Sequence, residues 1–575
     1  MTARTLKTRI TACAILAGLP VVFIAGRLFW LQTVRHEKLA VMAARSFSRT
    51  VSETGPRGRI FCPGGDLLAE SIVTWNLQLF KNDLIKGLKG KKDQDAALEN
   101  AAAALTRTLK LPPDFKAKFR RAKNFVPVKK NLGQAEFDAV TALKIKGVIL
   151  EAHQSRYYPS GNLARNVIGL VGSDRGLTGT ELLYDKVLTG KTSSREMIRD
   201  ASGRIIFQEK TEKEAHPRDL HLTLDRDIQY FAQESVKAMV EKTGAELGMA
   251  LVQEPSTGRL LAMATWPEDL GKIQPVEWVY EPGSTFKAIT LAAALEKDVV
   301  NEKNSFFCEN GAWKFNKQVT LHDHEPEKTL SLSGVMERSS NIGTAKIGLK
   351  LGLKDFYLYT KSFGFGSKAG LGFYGESAGI LKPLERYTAL DLAVGSYGHG
   401  MAATPVQVIT AYSALANGGA LYEPRLVDSV TEFDGTEIFI NKPAMVRQAV
   451  SRSTSLRVKS MLRAVVEKGT GQNAAIPGYS IAGKTGTSKK IDPATGKYLT
   501  GKNVASFCGF FPFSEPLYTI LVVIDNPRRL TYGGESAAPV FREIASKIIT
   551  LKGIKADTPV SARATKPRTA VPISD

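Results

Sequence analysis

A serine and a lysine three residues apart are the first side chains in this sequence whose types and spacing suggest chemistry. Ser284 and Lys287 introduce an apolar run, Ala288 to Leu295, that predicts a helix. Side chains three residues apart share one helix face, so the amine could take the hydroxyl proton. Lysine can act as a base near neutral pH only if burial or a second cation lowers its pKa. The pair therefore predicts acyl transfer by Ser284, with N–H groups at the helix start free to bind an oxyanion.

Two further motifs strengthen this interpretation, because Ser-x-x-Lys alone usually marks a capped helix with a solvated lysine. Ser339-Ser340-Asn341 lies in a polar turn before the helix-like segment 342–349. Gly483-Lys484-Thr485-Gly486-Thr487 follows the strand-like segment 479–482. Ser-x-x-Lys, Ser-Asp-Asn and Lys-Thr-Gly occur together in β-lactamases and penicillin-binding proteins. Ser340 replaces the aspartate here, and we interpret it as a structural residue at the helix start.

Longer stretches around these motifs resemble the class B, monofunctional penicillin-binding proteins, particularly the cell-division transpeptidase. The resemblance covers nearly the whole chain and is carried by residues 280–287, 398–407, 532–541, 56–60, 156–161 and 179–181. It implies a serine enzyme that cross-links the stem peptides of peptidoglycan and is inhibited covalently by β-lactams. One departure is Cys62-Pro63, where the family usually has an Asp-Arg pair, and it puts one turn of the pedestal in doubt.

The resemblance also implies roles in the reaction. Ser284 would attack the carbonyl of a D-alanyl-D-alanine stem peptide, with Lys287 as its base. The N–H groups of Ser284 and Thr487 would bind the oxyanion, and Ser339 could relay a proton to the leaving amine. Lys484 would supply the cation that lowers the pKa of Lys287.

Substrate contacts are implied for the remaining motif residues. Asn341 would hold the catalytic lysine and the substrate amide, and Thr485 with Thr487 could bind the terminal carboxylate. Gly486 would let the substrate pair alongside its strand, as backbone does at a sheet edge. No metal or cofactor enters this chemistry. His322-Asp323-His324 is interpreted as a polar surface turn, because two imidazoles without further ligands rarely hold a metal.

The elements that must position these residues predict an α+β fold with an antiparallel sheet. Two strand pairs flank proline-containing turns, residues 250–253 with 259–263 and residues 505–511 with 517–525. Helices lie between them. We therefore predict a penicillin-binding, β-lactamase-like transpeptidase domain over residues 218–553, opened by a strand at 220–224.

An elongated pedestal domain is predicted before it, over residues 32–217. Alanine and leucine spacing predicts helices at 93–110 and 134–143. Short strands are predicted at 59–61 and 147–150. No strong catalytic cluster occurs in this region, which suggests a spacer.

The N-terminus predicts a single membrane anchor. Residues 10–31 form a largely apolar run that is long enough to cross a bilayer, and basic residues precede it. A cleaved signal peptide is the alternative, but no small-x-small site closes the run. Because basic flanks stay in the cytoplasm, residues 1–9 become a cytoplasmic tail and the domains lie on the periplasmic side of the inner membrane. Residues 554–575 predict a disordered basic tail.

Composition limits the alternatives. The chain has 575 residues and a formal net charge of +22, which would suit nucleic acid, anionic lipid or an acidic polymer. A nucleic-acid partner is not expected, because the sequence has neither a C-x-x-C pair nor an RNP-like signature. The four cysteines lie far apart, so at most one disulfide among Cys62, Cys308 and Cys508 is expected.

Several functions compete within this fold. A β-lactamase would need a deacylating base that the sequence does not identify. A β-lactam receptor should have further spans and a cytoplasmic effector, and a bifunctional synthase needs a glycosyltransferase domain. The division and elongation transpeptidases share these motifs, and overall resemblance favours the septal enzyme. The partners that this implies are a polytopic membrane glycosyltransferase and other cell-division proteins.

Overall fold

The computed structural model describes residues 3–39, 48–172, 175–189, 192–199, 205–213, 217–492, 495 and 497–558. The strands are β1 (Ser48–Thr54), β2 (Ile60–Phe61), β3 (Leu67–Phe80), β4 (Phe125–Leu132), β5 (Val148–Tyr157), β6 (Thr192–Arg199), β7 (Ile205–Lys213), β8 (Asp219–Leu222), β9 (Leu247–Gln253), β10 (Leu260–Trp266), β11 (Ser305–Phe307), β12 (Ala312–Lys314), β13 (Thr320–His322), β14 (Thr329–Ser331), β15 (Ala420–Tyr422), β16 (Val427–Thr431), β17 (Glu437–Ile440), β18 (Met445–Gln448), β19 (Ala482–Ile491), β20 (Tyr498–Phe511) and β21 (Tyr518–Asp525).

The α-helices are α1 (Ala3–Thr33), α2 (Lys81–Ile85), α3 (Lys91–Leu109), α4 (Phe115–Arg121), α5 (Gln134–Ala142), α6 (Arg165–Ile168), α7 (Gly179–Leu183), α8 (Asp185–Leu188), α9 (Arg226–Thr243), α10 (Gln274–Glu277), α11 (Lys287–Glu296), α12 (Leu332–Glu337), α13 (Asn341–Leu351), α14 (Leu353–Ser362), α15 (Ala389–Gly395), α16 (Pro405–Ala416), α17 (Arg452–Lys468) and α18 (Ala537–Lys552). Short 3₁₀ helices span Gly283–Phe286, Glu309–Gly311, Leu384–Arg386 and Gln472–Ala474.

Contacts divide the chain into two compact units, residues 1–56 with 189–216 and residues 57–188 with 217–575. The first unit contains α1 and an antiparallel sheet in the order β1-β6-β7. Within α1, Ile10–Thr33 is long and apolar enough to cross a membrane. The length of α1 agrees with the predicted anchor. Most of the predicted disordered tail, from residue 559 onward, lies outside the described residues.

The second unit is built on two sheets. A five-stranded antiparallel sheet has the order β10-β9-β21-β20-β19. A seven-stranded sheet has the order β17-β16-β8-β2-β3-β4, with β5 also paired to β3. In this sheet β2 pairs with β8 in parallel, so strands from both sides of residue 217 share one sheet. The proposed pedestal boundary therefore stays a prediction, since the contact units divide the chain differently.

The five-stranded sheet is covered on both faces, which explains its nearly continuous apolar strands. Side chains alternate along β9: Met249 and Leu251 belong to one core, and Ala250 and Val252 belong to another. Helices α9 and α18 supply the second core, whereas α11 and α16 supply the first. This arrangement confirms the α+β prediction and leaves β19 at the sheet edge.

Most predicted elements are present. The helices predicted at 93–110 and 134–143 are α3 and α5, and the two predicted strand pairs are β9-β10 and β20-β21. One strand was predicted wrongly: residues 479–481 precede β19, and the Gly-Lys-Thr-Gly motif itself is the strand. Its glycines disfavour a strand locally, but pairing with β20 imposes one, from Ala482 opposite Phe510 onward.

The structure also shows the state of the four cysteines and the conformation of the turn after Cys62. Cys62, Cys308 and Cys508 are buried and free, and Cys13 is free and exposed, so no disulfide forms. The turn after Cys62 is intact, because the Cys62 N–H donates to the Asp66 carbonyl over 2.8 Å. Gly64 and Gly65 within it have φ values of 91° and 90°, which favour glycine.

Candidate active site

The turn that carries Ser284 is fixed from several sides. Ser284 lies in the 3₁₀ helix that runs into α11. The Gly283 N–H donates to the Gly398 carbonyl over 3.1 Å, and the Tyr412 hydroxyl donates to the Thr285 carbonyl over 2.7 Å. A side chain at Gly398 would lie 2.2 Å from the Gly283 oxygen, and its φ is 82°. The backbone of residue 398 can therefore approach the serine turn only as glycine.

Lys287 lies one turn after Ser284, and its side chain is fully buried. Its Nζ donates to the Ser339 carbonyl at 2.5 Å, to Ser339 Oγ at 3.2 Å and to Asn341 Oδ1 at 2.8 Å. Among the described residues, Nζ therefore bonds to the second motif rather than to Ser284. The structure joins the first two predicted motifs around one amine.

The second motif sits at the start of α13, as the sequence predicts. Ser340 is the N-cap, and its Oγ accepts from the Gly343 N–H over 2.9 Å. Ser339 has a φ of 59°, in the left-handed region. This conformation directs the Ser339 carbonyl and hydroxyl to Lys287, and an L-residue holds it at a cost of about 1–2 kcal/mol.

Asp323 is a residue of this site that sequence reasoning assigned only to a polar turn. Its Oδ1 accepts from the N–H groups of Asn341 and Ile342 at 2.5 and 3.0 Å. Its Oδ2 accepts from Ser340 Oγ at 2.6 Å. No local sequence signal marks this contact, because Asp323 precedes the helix by more than a dozen residues.

The third motif occupies the edge strand β19. The Lys484 side chain is fully buried, and its Nζ lies 3.2 Å from the Thr485 carbonyl. Thr485 Oγ1 lies 2.7 Å from Thr470 Oγ1, and Thr487 Oγ1 accepts from the Gly533 N–H over 3.2 Å. Because Gly533 belongs to the 532–541 segment, the structure brings that stretch beside the motif.

The structure gives a packing reason for a glycine at position 486, in addition to the predicted substrate pairing. A Cβ at Gly486 would lie 2.3 Å from Ser506 Oγ, 3.0 Å from Thr285 Cγ2 and 3.1 Å from the Pro282 carbonyl oxygen. The chain itself fills this space, so glycine allows the serine turn to pack on β19. Packing by itself therefore requires glycine here, and the expected pairing of substrate alongside this strand stays a prediction.

A second unpredicted contact lies behind the serine turn. Glu281 is buried, and its Oε1 accepts from the Gly400 N–H at 2.7 Å and from the Tyr498 hydroxyl at 3.0 Å. Burial raises the pKa of Glu281. The carboxyl group thereby connects the serine turn to the start of β20, a link of 217 residues in sequence.

Burial is the main cause of the lowered pKa values of Lys287 and Lys484. It lowers the pKa of Lys287 to about 7, against the opposing charge of Asp323. Burial, and then the charge of Lys287, hold the pKa of Lys484 well below its ordinary value. Burial rather than Lys484 is therefore the main cause at Lys287, and the predicted repulsion between the amines is seen at Lys484.

His399, which contacts the Tyr397 ring, does not titrate near neutral pH. Burial lowers its pKa to about 4, and the charge of Lys287 acts in the same direction. The ring centroids of Tyr397 and His399 lie 5.1 Å apart. His324 contacts the Tyr532 ring at 5.0 Å. Within the described residues, no group of three His, Cys, Asp or Glu side chains could hold a metal.

Comparisons with known proteins agree with this fold and site. Residues 248–546 match the penicillin binding protein transpeptidase domain, and residues 52–222 match the penicillin-binding protein dimerisation domain. Stage V sporulation protein D of Bacillus subtilis is 30% identical over 96% of this chain and 87% of its own length. The probable peptidoglycan D,D-transpeptidase PbpC of Pseudomonas aeruginosa is 32% identical over 93% of each chain.

A solved structure extends the match to three dimensions. Penicillin binding protein 3 from Mycobacterium tuberculosis, crystallised with aztreonam, superimposes with a TM-score of 0.67 at 26% identity. The match covers 89% of this chain and 99% of that one. Fold and domain matches together define an enzyme with a penicillin-binding transpeptidase domain. The chain belongs to the class B penicillin-binding proteins, in which a dimerisation domain precedes the transpeptidase domain.

Proposed function

We propose that this protein is a peptidoglycan D,D-transpeptidase that cross-links stem peptides through an acyl-enzyme on Ser284 and that β-lactams inhibit covalently. The observation that carries the proposal is the environment of Lys287. Its amine is fully buried, has a pKa of about 7 and lies one turn after the serine. About half of such amines are neutral at pH 7, so a base is available where acylation needs one. The name of the Pseudomonas relative supports the same reaction.

The proposed acylation step uses these positions. Neutral Lys287 takes the Ser284 proton as Oγ attacks the carbonyl carbon between the two D-alanines. The C–N bond then breaks, and the leaving D-alanine amine receives a proton from Lys287, relayed by Ser339. The amine of a second stem peptide then attacks the ester carbonyl, and Lys287 accepts its proton. The C–O bond to Ser284 breaks as Lys287 returns the proton to Oγ, which completes the cross-link. Asn341 keeps Lys287 oriented in each state.

Oxyanion binding is assigned to the N–H groups of Ser284 and Thr487. Support comes from the position of β19 at the edge of the sheet within the described part of the chain, because an edge strand has alternate N–H groups that bond to no neighbouring strand. Donors of this kind typically contribute about 3–4 kcal/mol to the transition state. The substrate carboxylate is assigned to Thr485 and Thr487, beside the buried Lys484 amine.

Septal cell-wall synthesis is the cellular role that we propose, on the resemblance of residues 280–287, 398–407 and 532–541 to the division enzyme. Depletion of the protein should then give filaments, which wild-type protein and Ser305→Ala correct. Ser305 is an exposed serine of β11 and serves as the matched control. Ser284→Ala should leave filaments and fewer cross-linked muropeptides. Complementation by Ser284→Ala would refute the acyl-enzyme, and round depleted cells would assign the protein to elongation.

The apolar helix near the N-terminus supports a second part of the proposal. The helix Ile10–Thr33 would hold the enzyme at the inner membrane with its catalytic domain in the periplasm. A polytopic membrane glycosyltransferase would then make the glycan strands, with other division proteins around it. Replacing residues 1–32 with an unrelated signal anchor should preserve penicillin labelling but reduce cross-linking in cells. Full complementation by that chimera would show that the segment is only a tether.

A further inference from the structure

We propose that Asp323 is a positioning residue for acylation: its carboxylate holds the turn of Ser339 and Asn341 against Lys287, and its charge acts on the same amine. The inference rests on the proposed role of Lys287 as the base. It concerns a residue outside the three motifs, on a loop that directly follows β13.

Both oxygens of the Asp323 carboxylate are used at the start of α13. Oδ1 accepts from the Asn341 and Ile342 N–H groups, and Oδ2 accepts from Ser340 Oγ. Ser340 itself caps the next N–H, that of Gly343. The free donors of the first helical turn are thereby satisfied, and a negative charge at a helix N-terminus is favourable. This arrangement fixes the turn more tightly than the N-cap serine alone could.

The same loop sets the orientation of the Asn341 side chain. Its Nδ2 donates to the His322 carbonyl over 2.9 Å, and its Oδ1 accepts from Lys287 over 2.8 Å. Because Nδ2 is held by the loop, the oxygen faces the lysine. The strained Ser339, with its φ of 59°, lies immediately before the residues that Asp323 holds. A strained backbone conformation of this kind persists only where several surrounding contacts hold it in place.

The loop is anchored independently of α13. The Asp323 N–H donates to the Gly311 carbonyl over 3.0 Å, and β13 pairs with β12 up to His322. A side chain at Gly311 would lie 2.9 Å from Pro326 Cα. Because position 311 is glycine, the loop can pack closely against its hairpin. The Asp323 carboxylate is therefore held by the β12-β13 hairpin and bonds to the N-terminus of a separate helix, α13.

The charge of Asp323 gives its role a distinct signature. Burial lowers the pKa of Lys287, while Asp323 and the Cys308 sulfur act in the opposite direction. Of the other titratable groups around Lys287, Lys484 and His399 have their pKa values lowered by burial and by the lysine charge. Asp323 thus favours protonated Lys287. Neutralising it should lower the pKa of Lys287 further and make the base available at lower pH.

The test compares full-length wild type with Asp323→Asn, Asp323→Ala and Glu327→Gln. Glu327 is the matched control, a carboxylate of the same loop that lies 3.5 Å from Arg338. The second-order rate of acylation by a fluorescent penicillin is measured from pH 5 to 9. The asparagine keeps an oxygen for both helix N–H groups, so its plateau rate should stay within about threefold of wild type. The acid limb of its profile, which is the fall in acylation rate at low pH, should shift to lower pH by about 0.5 to 1 unit.

Asp323→Ala removes the acceptor as well, so its plateau rate should fall about tenfold or more, whereas Glu327→Gln should match wild type. A merely structural role would not move the acid limb of Asp323→Asn. The proposal is overturned if the Asp323→Asn profile superimposes on wild type, or if Asp323→Ala keeps the wild-type plateau. Should Asp323→Ala fail to fold, the asparagine variant decides. A wild-type rate without any acid limb would instead reject Lys287 as the base, and the alanine plateau would still test positioning.

Discussion

The pH dependence of acylation follows directly from the burial of Lys287. At its ordinary pKa of 10.5, about one amine in 3,000 would be neutral at pH 7, whereas at a pKa of about 7 roughly half are. Burial therefore increases the amount of base by about 1,500-fold at neutral pH. Below pH 7 the rate should fall about tenfold per pH unit, to about one hundredth of its plateau at pH 5.

Labelled penicillin provides the assay, with second-order acylation rates measured between pH 5 and 9 on the full-length protein. Lys287→Arg should abolish the reaction, because guanidinium cannot act as a base in this range. Glu268→Gln is the matched control, since burial raises the pKa of Glu268 to about 7 but its contact is with Gln233. That variant should keep the acid limb. A wild-type rate at pH 5 within threefold of that at pH 8, or near-normal acylation by Lys287→Arg, would refute general-base catalysis by Lys287.

Two further substitutions test the packing around the site. Gly486→Ala places a methyl group against Ser506 Oγ and the serine turn. It should lower the free energy of unfolding by about 1–3 kcal/mol, measured by thermal melting, and lower the acylation rate, measured by penicillin labelling. Unchanged melting and labelling would show that the turn is not held on β19. Glu268→Gln should raise the free energy of unfolding by on the order of 1 kcal/mol at pH 8, and hence the melting temperature, but not at pH 5. The folded pKa is raised, so stability is lost as pH rises from about 4.5 to 7, and equal melting of both proteins at pH 8 would contradict this sign.

Local sequence patterns predicted the elements that carry the three motifs. The apolar run after Lys287 gives α11, and the polar turn before residue 342 gives the N-terminus of α13. Such signals work because helix starts and apolar periodicity are encoded over a few residues. The strand of the third motif was misplaced, because its pairing with β20 overrides the local preference of its glycines.

Contacts between distant segments could not be predicted in this way. Asp323 reaches a helix that begins 18 residues later, and Glu281 reaches Tyr498 across 217 residues. Neither carboxylate stands in a pattern that distinguishes it from a solvated surface group. The packing around Gly486 could not be predicted from the sequence either, since the atoms that would meet its Cβ come from residues 282, 285 and 506. Only the assembled fold shows which polar side chains face the active-site lysine.

The central claim is that Ser284 forms the covalent acyl-enzyme, and intact-protein mass spectrometry after exposure to penicillin tests it most directly. The account predicts one added penicillin mass, which peptide mapping places on the peptide that contains Ser284, and no added mass on Ser284→Ala with unchanged thermal melting. An adduct on another residue of the wild type, or an undiminished adduct on the folded Ser284→Ala variant, would contradict it.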